Sequence, residues 1–123
     1  MDAIYLICYG DSEENVKISM DTKIIGVSNY KKIPIGQLVY LIVKRDGKWT
    51  VVGKGHIDAE VDKNPFEKPN RFKIYSVKDF KTCNPFSISE ICKSELGERY
   101  GLVLRSPQPI TAEKFVSYLE KNS

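Results

Sequence analysis

The pair Asp46-Gly47 sits between two strand-like runs, Gln37–Lys44 (QLVYLIVK) and a run that starts at Lys48 (KWTVV). A two-residue hairpin turn of type I′ needs positive φ at both central residues, and Asp-Gly adopts it at low steric cost. The pair therefore predicts an antiparallel hairpin and fixes the register of both strands. The second strand runs on to about Glu60 through Gly53 and Gly55. Glycines inside a strand mark bulges or sharp coiling, which a sheet needs when it curls towards a barrel.

The rest of the chain supplies strands and short helices around this hairpin. Ala3–Tyr9 (AIYLICY) is a continuous apolar run, predicted as a central strand buried on both faces. Gly10-Asp11 breaks it. Ser12 is then a good N-cap, with Glu13 and Glu14 where the helix dipole favours negative charge. Val16 and Met20 lie four apart and can face the core from one short helix. Lys23–Val27 reads as a strand and Pro34-Ile35-Gly36 as a turn. Asp62–Pro69 reads as a polar loop carrying one aromatic, Phe66, and Arg71–Val77 as a strand of alternating pattern. Ser87–Leu96 is predicted as a helix capped at Ser87, Tyr100–Leu104 as a last short strand, and Thr111 as the cap of a C-terminal helix. That helix has the apolar stripe Phe115, Val116 and Leu119. The predicted fold class is α+β: a small, partly closed barrel flanked by short helices, spanning residues 1–123 as a single domain.

At 123 residues the chain is long enough to bury a core without staples. Its formal charge of +3 permits an anionic partner without demanding one. No apolar run approaches the roughly 20 residues of a membrane span, and no signal peptide is visible at the start. The three cysteines, Cys8, Cys83 and Cys92, are far apart and form no CxxC pair. Zinc and a disulfide framework are therefore not expected, and a reducing, cytoplasmic setting is. The single histidine, His56, has no nucleophile elbow to serve, and no metal-ligand or P-loop spacing occurs. The sequence thus predicts a domain that binds rather than reacts, with no cofactor.

Basic residues gather on the hairpin and its neighbouring loops, among them Lys31, Lys32, Lys44, Arg45, Lys68 and Arg71. Taken alone they could form an ordinary solvated surface. Aromatics interleave with them, most on strands and so in the core. Phe66 is different because it lies in a polar loop, where it can stack on a base or close over the core.

The order of these short motifs resembles the EVE domain and its relative the YTH domain, both PUA-like. The resembling pieces are the YLIC strand, Asn15-Val16 on a short helix, Ile25-Gly26-Val27, Pro34-Ile35-Gly36-Gln37, the Leu38–Val43 strand, Gly53–Ile57, Pro69-Asn70-Arg71-Phe72, and Leu104-Arg105 before Pro107. They are collinear over nearly the whole chain. The resemblance implies a small barrel with a base pocket. It implies that Asn15 reads a base edge, that Ile25 and Phe66 sit at cage positions, and that Cys8 and Tyr9 line the floor. Arg105 would lie near the mouth, facing a phosphate. Val16 and Ile25 stand where the family has tryptophans, so an aliphatic wall replaces flat indoles.

The function so implied is a reader of a modified, methylated base flipped from DNA, as the N-terminal module of a modification-dependent restriction system. An NTPase or nuclease would then come from a fused or associated subunit. An RNA-binding YTH-like domain that reads methylated adenine is the alternative. A third is a protein-interaction or small-ligand domain that kept the fold without the cage.

Overall fold

In a computed structural model, residues 3–27, 32–66, 73–105 and 108–123 are described. Five strands and four helices follow in the order β1 (Tyr5–Cys8), α1 (Glu13–Thr22), β2 (Ile24–Val27), β3 (Leu38–Arg45), β4 (Lys48–Glu60), β5 (Lys73–Ser87), α2 (Ser89–Leu96), α3 (Tyr100–Arg105) and α4 (Glu113–Asn122). The strands form one curled sheet in the order β1-β3-β4-β5-β2. Only β1 and β3 run parallel; the other pairs are antiparallel.

The hairpin forms as its turn residues require. Asp46 has φ 51° and Gly47 φ 74°, both positive as a type I′ turn needs. Register shifts fall between Val51 and Gly53 and between Lys54 and His56, beside the two strand glycines. A Cβ on Gly55 would overlap the Val77 side chain, so glycine lets β4 and β5 approach where the sheet coils.

Side-chain alternation divides the core into two layers. Tyr5, Ile7, Tyr9, Val39, Leu41, Val43 and Ile57 point into the barrel with Val16, Ile25 and Phe66. Ile4, Leu6, Tyr40, Ile42 and Val51 point outwards and are covered by Ile88, Cys92, Leu104, Phe115, Val116 and Leu119 from the helices. This double burial explains the continuous apolar run at the N-terminus. Yet β1 ends the hydrogen-bonded order and is no central strand; helices cover its outer face.

Other boundaries also differ from expectation. Ser87 stays in β5, paired with Thr50, and α2 begins at Ser89 behind an N-cap Ile88 that makes no side-chain bond. The sheet ladder holds Ser87, and its hydroxyl accepts from the Ser89 N–H at 3.3 Å. Tyr100–Arg105 is a short helix, not a strand. A five-residue apolar run carries too little periodicity to separate the two forms, and here Leu104 packs into the outer helical layer. The last helix starts behind Ala112, one residue beyond the expected Thr111 cap. β5 is far longer than the Arg71–Val77 strand predicted.

Candidate base-reading site

The helix α1 begins as its first residues dictate. Ser12 is the N-cap, its hydroxyl accepting from the Asn15 N–H at 3.2 Å. Glu13 is gripped by Arg45 through two bonds, Nε to Oε2 at 2.7 Å and Nη2 to Oε1 at 2.8 Å. The Arg45 hydrogen bond holds the Glu13 carboxyl below its usual range and, reciprocally, raises the guanidinium. Arg45, expected on a nucleic-acid backbone, is thus engaged in fixing the first turn of α1 to the hairpin.

The far end of α1 is tied down by Tyr9. Its hydroxyl lies 2.6 Å from Ser19 Oγ and accepts from the Gly26 N–H at 3.2 Å. One phenol therefore links the end of β1 to α1 and β2. β1 and β2 are the two ends of the strand order, so this link spans the opening of the half-barrel. Left-handed Lys23 (φ 59°) ends α1, and β2 follows at once. Ser19 was not singled out in the sequence. Its spacing of three from core-facing Val16 on one helix could have marked it as inward-pointing.

Around this link the expected site residues separate. Tyr9 and Phe66 meet edge to face, centroids 5.8 Å apart at 65°. Phe66 is buried, and its N–H donates to Asn64 Oδ1 at 2.8 Å, so the loop aromatic closes over the core. Ile25 is only 1% exposed and packs inside the barrel. Cys8 packs against the outer layer, on the opposite face of β1 from Tyr9, because neighbouring strand residues alternate. It therefore does not share a floor with Tyr9. Asn15 lies half-buried on the first turn of α1, beside buried Val16, and its carboxamide makes no hydrogen bond among the described residues.

Of the expected backbone contacts, Lys32 and Lys44 are exposed. Lys44 Nζ stands 5.7 Å over the Trp49 ring, and its N–H donates to Gly10 O at 2.7 Å. That bond places Lys44 beside the turn leading into α1. Lys31, Lys68, Arg71 and the Arg105 side chain lie outside the described residues.

What α1 and its flanking turn offer is a side-chain amide with no hydrogen bond among the described residues and a lysine next to the turn that leads into the helix. Among the described residues no three His, Cys, Asp or Glu side chains converge as a metal site would need. Burial pushes the Cys92 thiol up to about 12, which leaves it a poor nucleophile. Among the described residues no helix is long and apolar enough to cross a membrane.

Solved structures share this fold. The chain superposes on a crystal structure of the Mmi1 YTH domain in complex with RNA with a TM-score of 0.69, at 17% identity, covering 98% of this chain and 77% of that one. A second crystal structure of the Mmi1 YTH domain matches with a TM-score of 0.65 at 22% identity, over 95% of this chain and 84% of that one. Protein Atu2648 from Agrobacterium tumefaciens matches with a TM-score of 0.59 at 18% identity, over 98% and 93% of the two chains. No family model and no curated protein matches. The chain therefore has the fold of these YTH-domain structures, the small α+β barrel that the resemblance implied.

Proposed function

We propose that the domain binds nucleic acid and reads one unpaired base, with Asn15 contacting the base edge and lysines contacting the backbone. The observation that carries this reading is the carboxamide of Asn15, half-buried on the first turn of α1 and without a hydrogen bond among the described residues. An amide offers a donor and an acceptor together, the pairing that adenine's N6 and N7 require. The fold shared with a YTH domain crystallised with RNA favours RNA as the strand. On this reading the domain binds and does not catalyse.

Lys44 and Lys32 are exposed for phosphate contact. Arg105 and Arg71 join them on the strength of the family resemblance, and Lys31 and Lys68 by their place among the basic residues of the hairpin and its neighbouring loops. With Ile25 in the core and Phe66 held on Tyr9, the base is read mainly at its edge, and stacking contributes less than an indole cage would. The test is a fluorescence titration at two salt concentrations. Its probes are single-stranded RNA and DNA and duplex DNA, unmodified or carrying methylated adenine or methylated cytosine. Saturable, salt-sensitive binding to RNA, weakened by Asn15→Ala, supports the reading. Tighter binding to modified duplex DNA would favour a flipped-base reader serving a separate nuclease. No binding to any probe would refute the proposal.

A further inference from the structure

A second concave surface lies on the outer face of the sheet. It is a groove of about 900 Å³ between β4, β5, the Pro34–Gln37 turn and α4. Its wall is apolar at Leu38 and Val116, and Ile35 stands at its lip, 72% exposed.

The charges of this groove are arranged at a cost. Lys54 and Lys81 both line it, and they are direct cross-strand partners. Like charges placed opposite one another in an antiparallel pair are destabilising. Neither lysine makes an ion pair among the described residues. Lys54 Nζ donates instead to the neutral Ser123 Oγ at 3.0 Å. His56 lines the same groove, and its buried Nδ1 has no hydrogen-bond partner among the described residues, where the carboxylate oxygen Asp79 Oδ2 stands 3.9 Å away. Asp79 and Glu120 also line the groove and offset part of the positive charge.

We propose that this groove is an oxyanion site, in which Lys54 and Lys81 share one phosphate group and His56 contributes a third contact. A shared phosphate converts the repulsive lysine pair into a clamp, and charge-assisted hydrogen bonds are the strong kind. The phosphate is carried either by a small monoester, whose apolar body rests on Ile35, or by the backbone of a nucleic-acid strand. The site lies away from Asn15 and does not depend on the reading given above.

The chain holds a single histidine, so its ring protons report on this groove without ambiguity. Inorganic phosphate, titrated against chloride at fixed pH and ionic strength, should shift the His56 ring signals saturably. The variant Lys54→Gln/Lys81→Gln should weaken that binding at least tenfold, and Asp79→Asn should strengthen it. If the double variant fails to fold, Lys81→Gln alone, at an exposed position, should weaken binding severalfold. The same titration with adenosine monophosphate and with a short single-stranded oligonucleotide, in Asn15→Ala protein, separates the sources. Whichever of the two saturates at the lower concentration identifies the carrier, and either supports the site. A linear shift without saturation, or the same affinity in the lysine variants, would overturn it.

Discussion

Replacing Tyr9 with phenylalanine removes one oxygen from the centre of the barrel and little else. That oxygen is shared with Ser19 Oγ at 2.6 Å and accepts from the Gly26 N–H at 3.2 Å. Tyr9 is 4% exposed and Ser19 0%, so water does not replace the lost partner. Two hydrogen bonds contribute about 1 kcal/mol each, and a buried group left unsatisfied costs about 1–3 kcal/mol. Tyr9→Phe should therefore cost about 2–4 kcal/mol, a large share of a typical domain's 5–15 kcal/mol. Urea unfolding followed by circular dichroism measures it, with an unchanged slope expected because the ring still packs on Phe66. Ser19→Ala should cost less in the Tyr9→Phe background than alone, since the pair is coupled. A loss below about 0.5 kcal/mol, the scale of an ordinary surface substitution, would refute the idea that this hydroxyl links the two ends of the sheet.

Gly55→Ala forces a Cβ into Val77 and should cost about 1–3 kcal/mol, read as a lower urea midpoint. Because Arg45 lowers the Glu13 carboxyl in the folded chain, that pair stabilises above the ordinary carboxylate range and loses its contribution as pH falls through the folded value. Both partners are more than a third exposed, so the effect stays below about 1 kcal/mol. Acid titration of wild type and Arg45→Ala should converge at low pH and differ slightly at neutral pH. Lys44→Gln should weaken binding to every single-stranded probe alike and flatten the dependence of log affinity on log salt by about 0.7, the share of one phosphate.

Much of the fold was legible because local chemistry and global architecture agree. Asp46-Gly47 specified its turn, Ser12 its cap, and Gly53 and Gly55 the coiling of the long strand. The apolar run at Ala3–Tyr9 showed that both faces were covered, but not that β1 ends the sheet, since burial by helices and burial by strands look alike in composition. Leu104 and its neighbours misled for a related reason: five apolar residues satisfy a strand and one helical face equally well. Ser87 was an apt cap, yet its ladder position opposite Thr50 outweighed that local preference.

The candidate site was legible in part. Asn15 was singled out through the family resemblance, and the structure places it on the first turn of α1, after the Ser12 cap. Phe66 was read as stacking on a base or closing over the core, and the structure places it over the core, against Tyr9. Cys8 was assigned to the floor beside Tyr9, but the period of two along a strand puts adjacent residues on opposite faces. Arg45 was grouped with other basic residues because charge alone does not reveal a partner, here Glu13 at a sequence separation of 32. The outer groove was missed altogether. Lys54, His56 and Lys81 meet only through the β4–β5 register, which shifts between Lys54 and His56.

The most direct test of the central claim compares wild type with Asn15→Ala in a titration of a single-stranded RNA containing methylated adenine, at low and moderate salt. The account predicts saturable binding that weakens with salt and falls by about 5- to 150-fold in Asn15→Ala, the loss of one amide contact of about 1–3 kcal/mol. Equal affinity of the two proteins would contradict it, because binding would then owe nothing to the amide on the first turn of α1.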